Sequence, residues 1–404
     1  MIAFAGGLGY SPLLLIAAIV CSPIGGPKIR LRLYMFAILL ALEFVAASAR
    51  WSPRPISLVD FDPKTMSIAV RFEVARVGLA FLWTAVLIEA ARTLSPKQAR
   101  NVVRVATIAI LLQLVVVAVL AMFEKKVLDV FLPIEGNEGE GVQNISRNGI
   151  IMALAAPFLI VGAGRTLSFS RALFVEIAVF VVVLAVLATR GVNGGIVSTA
   201  AGLLSVAIVR LFPVNGFRIL GGMIASIIMG TPFVIGYLSR GAEATLATDS
   251  NNWRLAIWRK VIEVIDKDPI FGQGLGVLRT MRERIPSGVF KGELYVPNHA
   301  HNMVLQLWAE TGAIGASLVA LAIVLAGFRM PEPRKLGVAG FLAAALAGGF
   351  IAIALVSFDL WNDWWWATAG LLSALIVVMM RAEAIDQPSR MLATSPSLGV
   401  APAE

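Results

Sequence analysis

A chain of 404 residues with 58% hydrophobic side chains and a mean hydropathy of +0.83 is too apolar for a soluble domain. Long apolar runs recur from end to end, which reads as one polytopic membrane bundle rather than two or three soluble domains. The net charge of +9 is distributed over the short loops between those runs, so it is a topology signal and makes no nucleic-acid patch. Cys21 is the only cysteine, which excludes an intrachain disulfide and a cysteine-based metal site.

Taking ~20 residues per span, the sequence predicts an all-α fold with about eleven membrane helices, ten to twelve at the limits. They fall near 3–22, 33–49, 74–91, 102–122, 148–164, 172–189, 195–210, 219–238, 303–328, 336–357 and 366–380. The first run lacks a basic leader and reads as a retained span. Sixteen basic residues, from Lys28 to Arg390, lie in the tight loops and tail of one side, against nine in the short loops opposite. The richer side is expected to be cytoplasmic, which puts the N-terminus outside. The organisation follows: eight helices with short loops over 1–238, a long outer loop over 239–302, three helices over 303–380, and a polar tail over 381–404 with a disordered composition.

The two histidines, His299 and His301, stand together in "PNHAHN", residues 297–302, just before an apolar run. Asn302 can cap or begin the helix that follows. At ~100° per residue His301, Leu305, Trp308 and Gly312 share one stripe, with Asn302, Gln306 and Glu310 on a polar stripe beside it. A membrane helix tolerates polar residues where they face protein or a wet cavity. Three readings of His301 stand at this point: a hydrogen-bonded structural histidine, a metal ligand, or a general base. Metal binding would need carboxylates to complete the set, whereas neutral imidazole suits base chemistry near neutral pH.

Upstream, residues 252–266 have helical periodicity with Arg259, Lys260, Glu263 and Asp266 on the polar face. Arg254 lies instead within the apolar stripe of Ile257, Trp258, Val261, Ile262 and Ile265. There it must find an anion or snorkel to an interface. Gly272, Gly274 and Gly276 suit tight turns, and with no βαβ unit around them they are no dinucleotide fingerprint. Arg190 stands in "LATRGVNGG" at the outer end of a span, and Arg147 in "NISRNG" is placed similarly.

Taken together, these stretches resemble the O-antigen ligase family, which includes O-antigen and exopolysaccharide polymerases. The matching residues are His301–Asn302 with Leu305, Glu310, Gly312 and Gly315, Arg254 with Trp258, the segment from Pro269 to Gly276, and the Arg190–Gly191 turn. The resemblance covers roughly 180–315. It departs in span count, since the family commonly has about twelve helices with both termini cytoplasmic. It implies a C-type membrane glycosyltransferase of the bacterial inner membrane, with its site facing the periplasm. Such an enzyme passes a glycan from an undecaprenyl diphosphate carrier to a glycan or lipid A core acceptor, without metal or other cofactor. The resemblance gives His301 the role of base and Arg190 and Arg254 that of diphosphate ligands. His299, Asn302, Glu310, Arg147 and Trp258 then support them.

Two rivals have sequence features of their own. Asp60 and Asp62 lie in the first outer loop, where metal-dependent C-type glycosyltransferases place paired acids. Glu43 and Glu176, inside predicted spans, are the charges a lipid-linked glycan flippase would use. The aromatic run "FDLWNDWWW", 358–366, reads as an interfacial belt, with sugar stacking as the alternative.

Overall fold

A computed structural model describes residues 10–25, 61–62, 67–68, 71–131, 138–166, 193–243, 246–297 and 299–383, with a few single positions between 174 and 183. Ten helices of more than one turn are described: α1 (Tyr10–Gly25), α2 (Arg71–Thr93), α3 (Pro96–Phe131), α4 (Glu138–Thr166), α5 (Asn193–Leu211), α6 (Gly216–Leu238), α7 (Ser250–Ile265), α8 (Met303–Arg329), α9 (Val338–Val356) and α10 (Asp363–Glu383). The only strands among the described residues are a two-residue ladder pairing Phe61 with Ile68 and Asp62 with Ser67. The fold is that of an all-helical, multi-pass membrane protein.

Seven of these helices are long and apolar enough to cross a membrane: the main parts of α3, α4 and α5, and the whole of α6, α8, α9 and α10. Two more expected spans correspond to the shorter α1 and the more charged α2. The expected spans at 33–49 and, for the most part, 172–189 lie outside the described residues.

The helices gather around two apolar cores. One is built by α1 to α4 and α10 with part of α9, and includes Phe158, Leu120 and Trp365. The other is built by α6, α7 and α8 with part of α9, and includes Ile257, Leu278 and Leu305. In α5 and α9 small residues let the backbones approach, as is usual between membrane helices. A methyl group on Gly348 would lie 2.5 Å from the Ala201 carbonyl oxygen.

The packing also repairs broken helical bonds. Pro232 in α6 has no N–H to offer the carbonyl of Ile228. That carbonyl instead accepts from the Trp308 indole of α8 at 3.0 Å. In hydrocarbon, where no water can compensate, such a substitute donor matters.

Helix α8 itself is interrupted at Gly312, where φ is 62° and ψ is −166°. The interruption denies the amides of Ala313 and Ile314 their partners four residues back, the carbonyls of Ala309 and Glu310. The segment after α7 replaces both bonds from each side. Ala313 and Ile314 donate to the carbonyls of Pro269 and Ile270, while the amides of Gln273 and Gly274 donate to the carbonyls of Ala309 and Glu310. Four backbone hydrogen bonds thus strap residues 269–274 across the break. Gly272 and Gly312 are the residues that permit it. Both have positive φ, and a methyl group on either would come within 2.6 Å of backbone atoms of the other segment.

Two sequence expectations change here. His301 does not continue a stripe of α8, because the helix begins at Met303 and His301 has a left-handed φ of 50°. The aromatic run is no interfacial belt: Trp364 and Trp365 are buried in the first core, and Phe350 stacks on Trp365 with ring centres 4.8 Å apart. An apolar cavity of about 450 Å³ opens among α1, α2, α3, α4 and α10, lined by residues such as Leu87, Ala106 and Leu375. It contains none of the residues of the histidine cluster described next.

Candidate active site

The histidine segment is fixed from three sides. Asn302 is the N-cap of α8, and its side-chain oxygen accepts from Val304 N at 3.0 Å and Leu305 N at 2.9 Å. The Trp258 indole of α7 donates to the carbonyl of Ala300 at 2.9 Å, pinning the residue between the two imidazoles. Ala300 is fully buried. The rings of His299 and His301 rest against each other with centres 4.2 Å apart. With the chain held at both ends of this turn, His301 is kept in a conformation that non-glycine residues rarely adopt.

Arg254, on α7, is half-buried beside this pair, and among the described residues no hydrogen bond or ion pair holds its guanidinium. Burial alone lowers its pKa. Its charge acts on both imidazoles. For His301, burial first, then His299 and Arg254, push the pKa down to about 3, so the ring is neutral at physiological pH. Burial also holds His299 below its ordinary value, against the opposing pull of the Asp359 carboxylate; Arg279, Arg147 and Arg254 add to the lowering. The local field is therefore that of several cations around two uncharged bases, the setting in which an anion is favoured.

Beneath the histidines lies a buried polar network. Glu310 accepts from the Gly276 amide at 3.2 Å, the Gln306 amide at 3.1 Å and the Trp361 indole at 2.8 Å. Gln306 uses its second N–H on Asp359 at 2.8 Å and accepts from Leu360 N at 3.1 Å. Asp359 also takes the Arg279 guanidinium at 2.5 Å. The network ties α8 to the turn after α7 and to the loop before α10.

Of the residues singled out in the sequence, His299, His301, Asn302, Arg254 and Trp258 meet at one place, and Arg147 is close enough to act on His299. Glu310 lies within the supporting network rather than against the histidines. Arg190, Asp60, Glu43 and Glu176 lie outside the described residues, as does residue 62 beyond its backbone pairing. Sequence reasoning missed Arg279 and Asp359. Arg279 is one basic residue among several in a polar loop, and Asp359 is hidden in the aromatic run; neither has a spacing that marks it.

Comparison with known proteins covers the same part of the chain. The O-antigen ligase family model matches residues 177–320, which include α7, the strap and the first part of α8. A protein named as a polysaccharide ligase in Rickettsia typhi is 29% identical over 147 residues, covering 35% of this chain and 34% of its own length. The corresponding proteins of Rickettsia prowazekii and Rickettsia bellii are 30% identical over 147 residues and 26% identical over 137. These cover 34% and 33% of the relatives, so the matched region spans about a third of each relative's length. Residues 177–320, which carry the histidine segment and the arginine that faces it, are thus the part of the chain that is similar to the O-antigen ligase family.

Proposed function

We propose that the protein is a membrane glycosyltransferase that moves a glycan from an undecaprenyl diphosphate carrier to an acceptor hydroxyl at the periplasmic face of the bacterial inner membrane. The observation that carries this reading is the half-buried guanidinium of Arg254, with no hydrogen bond or ion pair among the described residues, beside the neutral imidazole of His301. A charge kept from water and left unpaired is costly, and a ligand anion would relieve that cost.

The donor supplies its own leaving group, so the task of the protein is to receive negative charge and remove one proton. Arg254, with Arg190 as a second ligand, binds the diphosphate through the planar fork that suits phosphate oxygens. His301 takes the proton of the acceptor hydroxyl. The acceptor oxygen then bonds to the anomeric carbon from the face opposite the carrier. The bond from that carbon to the phosphate oxygen breaks, with its electron pair going to the diphosphate, and the configuration inverts. The arginines stabilise this developing charge without a metal ion. Donor binding also prepares the base: a diphosphate at Arg254 cancels the charge that depresses His301 and adds a negative one, making the imidazole more basic. His299 rests against the ring, Trp258 holds the turn through the Ala300 carbonyl, Asn302 caps the helix that follows, and Arg147 adds to the positive field.

The test uses the full chain in lipid with a synthetic undecaprenyl diphosphate oligosaccharide, following release of carrier diphosphate and the glycan product. Turnover that survives EDTA and Asp62→Ala but is lost in His301→Ala and Arg254→Ala supports the proposal. Turnover that survives His301→Ala but is abolished by EDTA or Asp62→Ala replaces it with the metal-dependent mechanism. Product length then separates a polymerase from a ligase acting on lipid A core.

A further inference from the structure

The strap across the break in α8 is more than a repair. Gly312 stands about 26 Å along the axis from the end of α8 at Arg329, the end that the proposed topology puts in the cytoplasm, against about 30 Å for the apolar layer of a bilayer. The backbone pairing therefore carries residues 269–272 to the outer edge of that layer. The sequence of the strap fits this depth. Asp266 and Lys267 are exposed on its watery side, and then Pro269, Ile270 and Phe271 follow as an apolar tip. Ile270 and Phe271 are each 55% exposed, and Ile314 of α8 beside them is 39% exposed. A hydrophobic tip of this kind has no reason to face solvent, and backbone hydrogen bonds on α8 prevent it from turning inward.

The tip is continuous with the candidate active site. The break at Gly312 lies about 14 Å along α8 from Met303, two residues after His301. The chain between tip and site is rigid: Gly274 N bonds to the Glu310 carbonyl and Gly276 N to the Glu310 carboxylate. A molecule with its diphosphate at Arg254 and its tail in the membrane must pass from one level to the other.

We propose that Ile270, Phe271 and Ile314 form a lip that seats the first few isoprenyl units of the lipid donor, making the strap a determinant of selectivity for the carrier chain. This rests on the polyprenyl diphosphate reading of the site above. The lip acts by apolar contact, so it sets how tightly the donor binds and leaves the chemical step alone.

Two measurements test it. Steady-state kinetics compare an undecaprenyl diphosphate donor with one carrying two isoprenyl units, for the native chain and for Ile270→Ser and Phe271→Ser. The lip predicts a KM for the long donor raised about tenfold in the variants and a smaller rise for the short donor, whose two units fill only part of the lip, with kcat unchanged for both. Equal effects on both donors, or no effect on either, overturn it. Independently of turnover, p-benzoylphenylalanine at position 271 is photolysed in nanodiscs containing the long donor. The lip predicts a cross-link to the polyprenyl chain that excess undecaprenyl diphosphate abolishes. A cross-link to phospholipid alone makes the tip an interfacial anchor and overturns the proposal. A competed cross-link in a protein that turns over no donor leaves the lip standing and removes the reaction instead.

Discussion

Glu310 and Asp359 are joined by one amide group, whose two hydrogens are divided between them: Gln306 donates to the first at 3.1 Å and to the second at 2.8 Å. Both carboxylates are buried, at 0% and 6% exposure, so neither can turn to water if that amide is removed. Gln306→Leu keeps the approximate size and leaves each carboxylate one donor short. A buried group deprived of its hydrogen bond costs about 1–3 kcal/mol. The melting temperature of the Gln306→Leu protein in detergent is expected to fall by several degrees. An unchanged melting curve would mean that the network contributes nothing to stability.

The left-handed φ of His301 allows its structural and chemical roles to be separated. An L-residue in this region costs roughly 1–2 kcal/mol that glycine avoids. His301→Gly should therefore melt at or above the native temperature, yet lose the factor of ~10²–10⁴ in turnover that a general base supplies. His301→Ala should lose the same activity and keep the strain. If the glycine variant retains native turnover, the imidazole is not the base.

The parts of this fold that were readable from sequence are those written in a single helix or turn. The apolar runs gave those spans that fall within the described residues, and the Asn302, Gln306 and Glu310 spacing gave three buried polar residues at the cap and first turns of α8. Arg254 was legible because a charge inside an apolar stripe of one helix is a local contradiction. The strap could not be read in the same way. Gly272 reads as a turn residue and Gly312 as one position of a helical stripe, and only the tertiary fold shows that each admits the other's backbone. Asp359 and Arg279 meet across 80 residues of sequence, with nothing in either neighbourhood to announce the other. Trp361, Trp364 and Trp365 share a run that resembles an interfacial belt; the fold sends one to Glu310 and two into the core.

The strap makes a paired prediction. Gly272→Ala would bring a methyl group to 2.5 Å from the Thr311 amide nitrogen, and Gly312→Ala to 2.3 Å from the Ile270 carbonyl oxygen. Each also forces alanine into a positive φ. Backbone atoms cannot yield as a flexible side chain can, so both variants should lose the bonds across the break. Hydrogen exchange at Ala313 and Ile314 is expected to rise by at least tenfold. Gly222→Ala in α6 is the control, since its methyl group meets nothing within 4 Å and alanine favours a helix by about 1 kcal/mol. Protection in all three variants equal to the native level would mean that the strap is not held as described.

The pH dependence of turnover tests the coupling of Arg254 to His301. The base works only when deprotonated, so activity falls as pH drops below its pKa. In the free protein that pKa is about 3, and kcat/KM, which reports the free protein, should hold level well below pH 6. A bound diphosphate raises the pKa, so kcat, which reports the donor complex, should begin to fall at a higher pH. Arg254→Gln removes one of the causes that lower His301, and it should move the limb of kcat/KM upward toward that of kcat. Should kcat/KM of the native protein instead turn down near the ordinary histidine value of about 6.5, His301 would not be the depressed, neutral base that the geometry around Arg254 requires.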